Sequence, residues 1–280
     1  MRSLSLVFVA ACAAACNPAD KILLWPPSGP TEPNGAVRRV VDDGVEVWTV
    51  PRDAPDAYVL RFYGNGARAE WSVAEEAAAL PHVVFWGVNY HGYGGSSGDA
   101  TLDGVARAAI SAYDTLAREA KGKPIFAFGT SMGSVAALHL GAERDVKGLL
   151  LWNPPPLKRL VLEEHGWWNL FLVAAPTALS IPASVDSEAN ARRCHMPAVF
   201  VMSDRDGVVP IQYQGRVIAA YAGQKDVIVL PGAGHNDSPA AREAEQIAVA
   251  VQRMMDHRNE PVVPEGKEGG AFVSKRSAMP

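Results

Sequence analysis

The sequence predicts an α/β fold, a mostly parallel central sheet flanked by helices. Short β-rich runs alternate with segments of helical period along most of the 280 residues. Several runs, 146–152 and 197–202 among them, are apolar almost throughout, as strands buried on both faces are. The stretch Gly129-Thr130-Ser131-Met132-Gly133 follows the apolar run 124–128 and opens a helical segment through Gly141, so a strand passes into a helix through one tight turn.

Composition fits one large domain. Hydrophobic residues make up 48% and charged residues 20%, which sets the chain apart from disordered sequences and from proteins with repeated apolar spans. A formal net charge of -4 argues against nucleic acid as a partner, because non-specific binding to it rests on basic patches.

The chain opens on Arg2 and the apolar run 4–11, too short to span a bilayer comfortably. Val9-Ala10-Ala11-Cys12 and Ala13-Ala14-Ala15-Cys16 are both similar to a bacterial lipoprotein lipobox, where the cysteine is acylated and becomes the new N-terminus. Cys16 leaves a leader of more usual length, and Cys12 has the better apolar residue three positions before it, so both stand as candidate lipidation sites. Residues 1–16 are therefore expected to be a leader that places the protein in the bacterial cell envelope, with a lipid anchor in the membrane. The alternatives are a plain secretory signal and an apolar leader on a cytoplasmic enzyme. Cys194 is the one cysteine beyond that leader, which leaves the body of the chain without a disulfide or a cysteine-based metal site.

Residues 17–35 are rich in proline, glycine and small polar residues and are expected to be a linker; a first loop packed on the domain, with Trp25 docked, is the alternative. The domain is expected over 36–257. It begins with two β-rich runs, 37–41 and 45–50, around the turn Asp42-Asp43-Gly44. Further strands are expected at 57–63, 82–89, 124–128, 146–152, 197–202 and 226–230, and helices at 71–80, 101–120 and 239–257. Between 153 and 194 the alternation gives way to an apolar, proline-punctuated insert, too long for a plain loop and expected to be a small helical lid. The tail 258–280 is polar, glycine-rich and without periodicity, and is expected to be disordered.

Ser131 in the G-x-S-x-G stretch is a candidate nucleophile. A serine hydroxyl attacks well only when an imidazole accepts its proton and a carboxylate orients that imidazole. Asp206, in Ser203-Asp204-Arg205-Asp206-Gly207-Val208-Val209-Pro210, follows the run 197–202, and His235 in Gly232-Ala233-Gly234-His235-Asn236 follows the run 226–230. Both fall at C-terminal strand ends, where ligands meet open α/β sheets. The chain order Ser, Asp, His is the order of the α/β hydrolases and differs from those of chymotrypsin-like and subtilisin-like proteases. The N–H of Met132, directly after the serine at a helix N-terminus, is expected to receive the negative oxygen of a tetrahedral intermediate.

Over roughly 37–257 the sequence resembles an α/β-hydrolase-fold serine hydrolase. Tyr90-His91-Gly92-Tyr93-Gly94-Gly95-Ser96-Ser97-Gly98 is similar to the signature of the small-lid hydrolases that include protein depalmitoylases and related peptidase-like enzymes, with Asn89 where that family has aspartate. The resemblance implies that Asp206, before Val208-Val209-Pro210, is the acid in preference to Asp204. It also implies a second oxyanion donor at Asn65, since Gly64-Asn65-Gly66 resembles the family's his-gly-asn-x loop with Tyr63 in place of histidine.

The expected activity is hydrolysis of an ester, thioester or amide of a small-molecule or acylated substrate through an acyl-enzyme, with no cofactor and no metal. The alternative is an inactive scaffold of the same fold, acting as a surface-anchored binding protein. Trp167, Trp168 and Phe171 in the insert are candidates for lining the substrate pocket, or for packing the insert onto the core. His91, His139, His165, His195 and His257 lack metal-ligand spacing and are expected to be structural. Gly94 to Gly98 lacks the lysine of a phosphate-binding loop.

Overall fold

A computed structural model describes residues 17–27, 35–165 and 174–256. Its strands are β1 (Val37–Val40), β2 (Glu46–Thr49), β3 (Ala57–Phe62), β4 (Val83–Val88), β5 (Ile125–Thr130), β6 (Leu149–Trp152), β7 (Ala198–Ser203) and β8 (Lys225–Leu230). They form one eight-stranded sheet in the order β1-β2-β4-β3-β5-β6-β7-β8. The β1–β2 and β2–β4 pairs are antiparallel and every later pair is parallel, as the apolar runs predict. β4 and β7 are buried at every position, and β5 at every position but Thr130.

The helices are α1 (Pro18–Leu23), α2 (Val73–Ala78), α3 (Leu102–Ala120), α4 (Met132–Glu143), α5 (Leu157–His165), α6 (Ala174–Leu179), α7 (Ser187–Ala191), α8 (Ile211–Ala220) and α9 (Ala241–Asp256). Because side chains alternate along a strand, the sheet serves two cores. Leu60, Phe62, Trp86 and Phe200 meet α3 and α4 on one face, whereas Val59, Phe85, Phe128 and Val201 meet α2 and α9 on the other. In α3, buried Leu102, Val105, Ala109, Ala112 and Leu116 recur every three or four residues and form one stripe. Its N-cap Thr101 accepts a hydrogen bond from the Gly104 N–H at 2.9 Å. In α4, every residue from Met132 to Leu138 is buried, so that helix is apolar all round.

Two regions differ from expectation. The linker predicted over 17–35 contains α1, which packs on the domain with Ala19 fully buried and Leu24 5% exposed. Asn17 caps this helix by accepting from the Ala19 N–H, and its amide donates to the Ser180 carbonyl at 2.9 Å. Composition misleads here because a short helix with few apolar residues is held by specific polar contacts that periodicity does not register. The Trp25 side chain is 67% exposed. Second, α8 follows Pro210 where no helix is expected. The insert is helical, with α5, α6 and α7 among its described residues. The leader with Cys12 and Cys16, the tail 258–280, and Trp167, Trp168 and Phe171 lie outside the described residues.

Asn89 lies at the end of β4 between two buried carboxylates. Its oxygen accepts from the Ala69 N–H at 2.8 Å, and its amide nitrogen donates to Glu46 at 2.6 Å and Glu70 at 3.0 Å. Glu46 is 2% and Glu70 0% exposed. Burial works to raise the Glu46 carboxyl, but the Gly95 N–H, Arg38 and Asn89 outweigh it and hold it below its ordinary value. An aspartate at 89 would offer both glutamates a third acceptor in place of a donor. Asn89→Asp is therefore expected to cost about 3 kcal/mol at neutral pH, measured by urea unfolding. A carboxyl crowded in this way ionises above its unfolded-state value, so the folded state binds more protons and the loss shrinks as pH falls toward about 4. An unchanged midpoint would contradict this account.

Candidate active site

Ser131 occupies the turn between β5 and α4 with φ 53° and ψ −118°, a region unfavourable for a residue with a side chain. Its neighbours show why glycine stands on either side. A Cβ at Gly129 would lie 2.2 Å from the Gly133 carbonyl oxygen, and one at Gly133 would lie 2.1 Å from the Phe62 carbonyl oxygen. The turn thus presses α4 against its own strand and against β3. The Ser131 N–H donates to the Trp152 carbonyl at 2.7 Å, tying the turn to the end of β6. Ser134 donates its hydroxyl between the Gly129 and Trp152 carbonyls, at 2.9 and 3.0 Å.

Three of the sequence-predicted residues meet in one hydrogen-bonded chain. His235 Nε2 lies 3.1 Å from Ser131 Oγ, and His235 Nδ1 lies 2.6 Å from Asp206 Oδ2. The Asp206 side chain is fully buried, and a buried carboxylate needs donors. It has four: the N–H groups of Val208 and Val209 reach Oδ1 at 2.8 Å each, while His235 and Gln214 (3.2 Å) reach Oδ2. Asp204, the other candidate acid, instead accepts from the Gly232 N–H at 2.7 Å and holds its loop.

The Gly64-Asn65-Gly66 loop leaves the end of β3 beside the serine, and a Cβ at Gly64 would come 3.6 Å from the Ser131 Cβ. The Asn65 side chain points away from a substrate role. Its oxygen accepts from the Trp25 N–H at 2.9 Å and from the Tyr93 hydroxyl at 2.7 Å, and its nitrogen donates to the Leu23 carbonyl at 2.6 Å. Any donation from Asn65 to an oxyanion therefore comes from its backbone. Met132 stands at the first position of α4, where helix amides are free of intrahelical partners. Behind the loop, Arg61 grips Glu76 through two hydrogen bonds of 2.8 and 2.9 Å and reaches Thr130 at 3.0 Å, joining β3, α2 and β5. Tyr63 adds its hydroxyl to Glu76 at 3.1 Å.

Two residues of this site carry no motif signal. Gln214, fully buried on α8, donates to Asp206 and to the Val209 carbonyl at 2.7 Å, fixing the acid loop from below. Asn153, at φ 48° after β6, accepts from the Ser203 N–H at 2.9 Å and donates to Ser203 Oγ and the His235 carbonyl at 3.1 Å each. For Asn153 the only cue in the sequence is a polar residue directly after an apolar strand run, and for Gln214, on a helix, there is none. Of the remaining histidines, His91 is 3% exposed and held at 2.8 Å from the Ser97 carbonyl. Burial pulls His139 below its ordinary value.

With the sheet order, the elbow and the strand-end residues in view, the chain has the α/β-hydrolase fold. No family model matches it. It is 29% identical over 252 residues to uncharacterized proteins of two Mycobacterium tuberculosis strains, CDC 1551 and H37Rv, covering 84% of this chain and 86% of theirs. Among solved structures, it is similar to Est1E from Butyrivibrio proteoclasticus, determined with ferulic acid bound, at TM-score 0.62 and 18% identity over 80% of this chain and 99% of that one. An esterase of Pyrococcus furiosus gives TM-score 0.59 at 17% identity, over 84% and 98% of the two chains. The mouse alpha/beta hydrolase domain-containing protein 10 gives 0.57 at 16%, over 79% and 98%. No helix among the described residues is long and apolar enough to cross a membrane.

Two glycines, one in the elbow and one in α8, carry opposite expectations. Gly133→Ala drives a methyl group into the backbone of Phe62 and is expected to cost about 3 kcal/mol or more. A Cβ at Gly215, inside α8, meets nothing within 4 Å, so Gly215→Ala is expected to stabilise by roughly 0.5–1 kcal/mol. Thermal melting of the two variants checks both signs.

Proposed function

We propose that the protein is a serine hydrolase that cleaves a carboxylic ester, thioester or amide bond through an acyl-enzyme on Ser131. The observation that carries this reading is the continuous chain from Ser131 Oγ through His235 to buried Asp206, at 3.1 and 2.6 Å. In the first step His235 Nε2 accepts the hydroxyl proton while Oγ bonds to the carbonyl carbon. Asp206 holds Nδ1–H, so that Nε2 keeps its lone pair toward the serine and the imidazolium that forms is stabilised. The carbonyl oxygen, now negative, is received by the backbone N–H groups of Met132 and Asn65. Collapse breaks the bond to the leaving group, which takes the proton from His235 and departs as alcohol, thiol or amine. Water then repeats the sequence on the acyl group and releases a carboxylic acid, restoring the serine.

The likeness in fold to an esterase of Pyrococcus furiosus supports the ester end of this range. Three of the four donors to Asp206, the Val208 and Val209 N–H groups and the Gln214 amide, carry no charge, so they hold the carboxylate without an ion pair that would compete with the imidazolium. A fluorophosphonate probe tests the reading. The wild type is expected to label once per chain and Ser131→Ala not at all, while Asp206→Asn slows labelling about 10³-fold or more. No labelling of the wild type, or equal labelling of Ser131→Ala, would overturn it.

A further inference from the structure

The oxyanion loop has a weakness that its sequence makes plain. An oxyanion donor must point in a fixed direction before the negative charge forms. Gly64 and Gly66 flank Asn65, and Gly66 stands at φ +78°, so the loop's own backbone is permissive. One turn hydrogen bond, from the Ala67 N–H to the Gly64 carbonyl at 3.2 Å, closes it, and the further hold on its direction comes from outside.

The outside hold is the Asn65 side chain, and two of its three partners belong to the N-terminal segment. The Trp25 N–H and the Leu23 carbonyl take opposite ends of the amide, at 2.9 and 2.6 Å, and the Tyr93 hydroxyl completes the set at 2.7 Å. Tyr93 is buried, and burial pushes its phenol up to about 12, so it remains a donor at neutral pH. The segment is itself anchored at three places. Ala19 and Leu24 enter the core, Asn17 donates to Ser180, and Asp20 accepts from the Leu102 N–H at 2.8 Å at the start of α3.

We infer that residues 17–25 are a strap belonging to the active site, and that through the Asn65 side chain they hold the Asn65 backbone N–H in line for the oxyanion. The inference rests on the serine-hydrolase reading above. Asn65 thereby has two functions: its backbone is the donor, and its side chain is a positioning group. Trp25 contributes its N–H, since its indole is turned to solvent.

The test removes that N–H and keeps the rest. Trp25 precedes Pro26, which already restricts it toward extended backbone, and Leu24 before it is extended at φ −115°, ψ 131°, the conformation required of a residue that precedes proline. Trp25→Pro loses indole and N–H, whereas Trp25→Ala loses the indole alone. With a short-chain p-nitrophenyl ester, the proline variant is expected about ten-fold or more below the alanine variant in kcat/KM, the difference lying in kcat with KM within about two-fold. Affinity for phenylboronic acid, whose serine adduct is tetrahedral, should fall by the same factor. A role confined to packing would change the melting temperature and leave the boronate affinity unchanged. Asn65→Ala, which removes the whole hold, is expected to show the same pattern and serves if the proline variant does not fold. Equal kcat/KM for Trp25→Pro and Trp25→Ala, or Asn65→Ala with wild-type kcat and boronate affinity, would overturn the strap while fluorophosphonate labelling of the wild type leaves the hydrolase reading standing. A wild type that neither labels nor hydrolyses the ester overturns both.

Discussion

The close approach of α4 to β3 and β5 is the constraint on which the rest of the site depends. With 2.2 and 2.1 Å between would-be Cβ atoms and backbone oxygens, no residue but glycine lets the helix sit there. That contact leaves Ser131 in a strained turn, with a cost of about 1–3 kcal/mol that the surrounding packing offsets. It also sets the free amides at the start of α4 beside the serine, and brings the loop after β3 alongside. The places proposed for the nucleophile and the oxyanion donors thus follow from one packing event.

The parallel sheet supplies the remainder. β3, β5, β7 and β8 run in the same direction, so the loops that follow them open on one edge, and residues 65, 131, 206 and 235 converge although 170 positions separate the first from the last in the numbering. Asp206 can be buried there because four donors neutralise the cost of removing it from water, and only one of them is the imidazole it orients. The other three hold the carboxylate still, which fixes the histidine in turn. Asn153 and Ser203 lock the strand ends from which this chain of contacts hangs.

Much of this was legible in the sequence because it follows from short-range rules. Apolar runs placed the strands from β3 to β8, the turn residues Asp42-Asp43-Gly44 placed the first hairpin, and glycine spacing marked the elbow. Asp206 could be preferred to Asp204 only through the resemblance to a family, since both are acids in one loop; the geometry brings Asp206 to His235 and leaves Asp204 on Gly232. What escaped was carried by long-range polar contacts. α1 has a composition that fits a tether, yet Asn17, Asp20 and Asn65 dock it across separations of 163, 82 and 42 positions. Gln214 has no motif at all. Asn89 looked like a departure from a signature; between Glu46 and Glu70 it is the residue that the charges around it require.

A serine-hydrolase reaction requires that Ser131 become acylated, and intact-protein mass spectrometry after acid quench detects that adduct. Mixed with an excess of p-nitrophenyl acetate and quenched within the first turnovers, the protein should carry one added acetyl group, and peptide mapping should locate it on Ser131. Hydrolysis that proceeds with no adduct on Ser131, or with the acetyl group on another residue, would contradict the account.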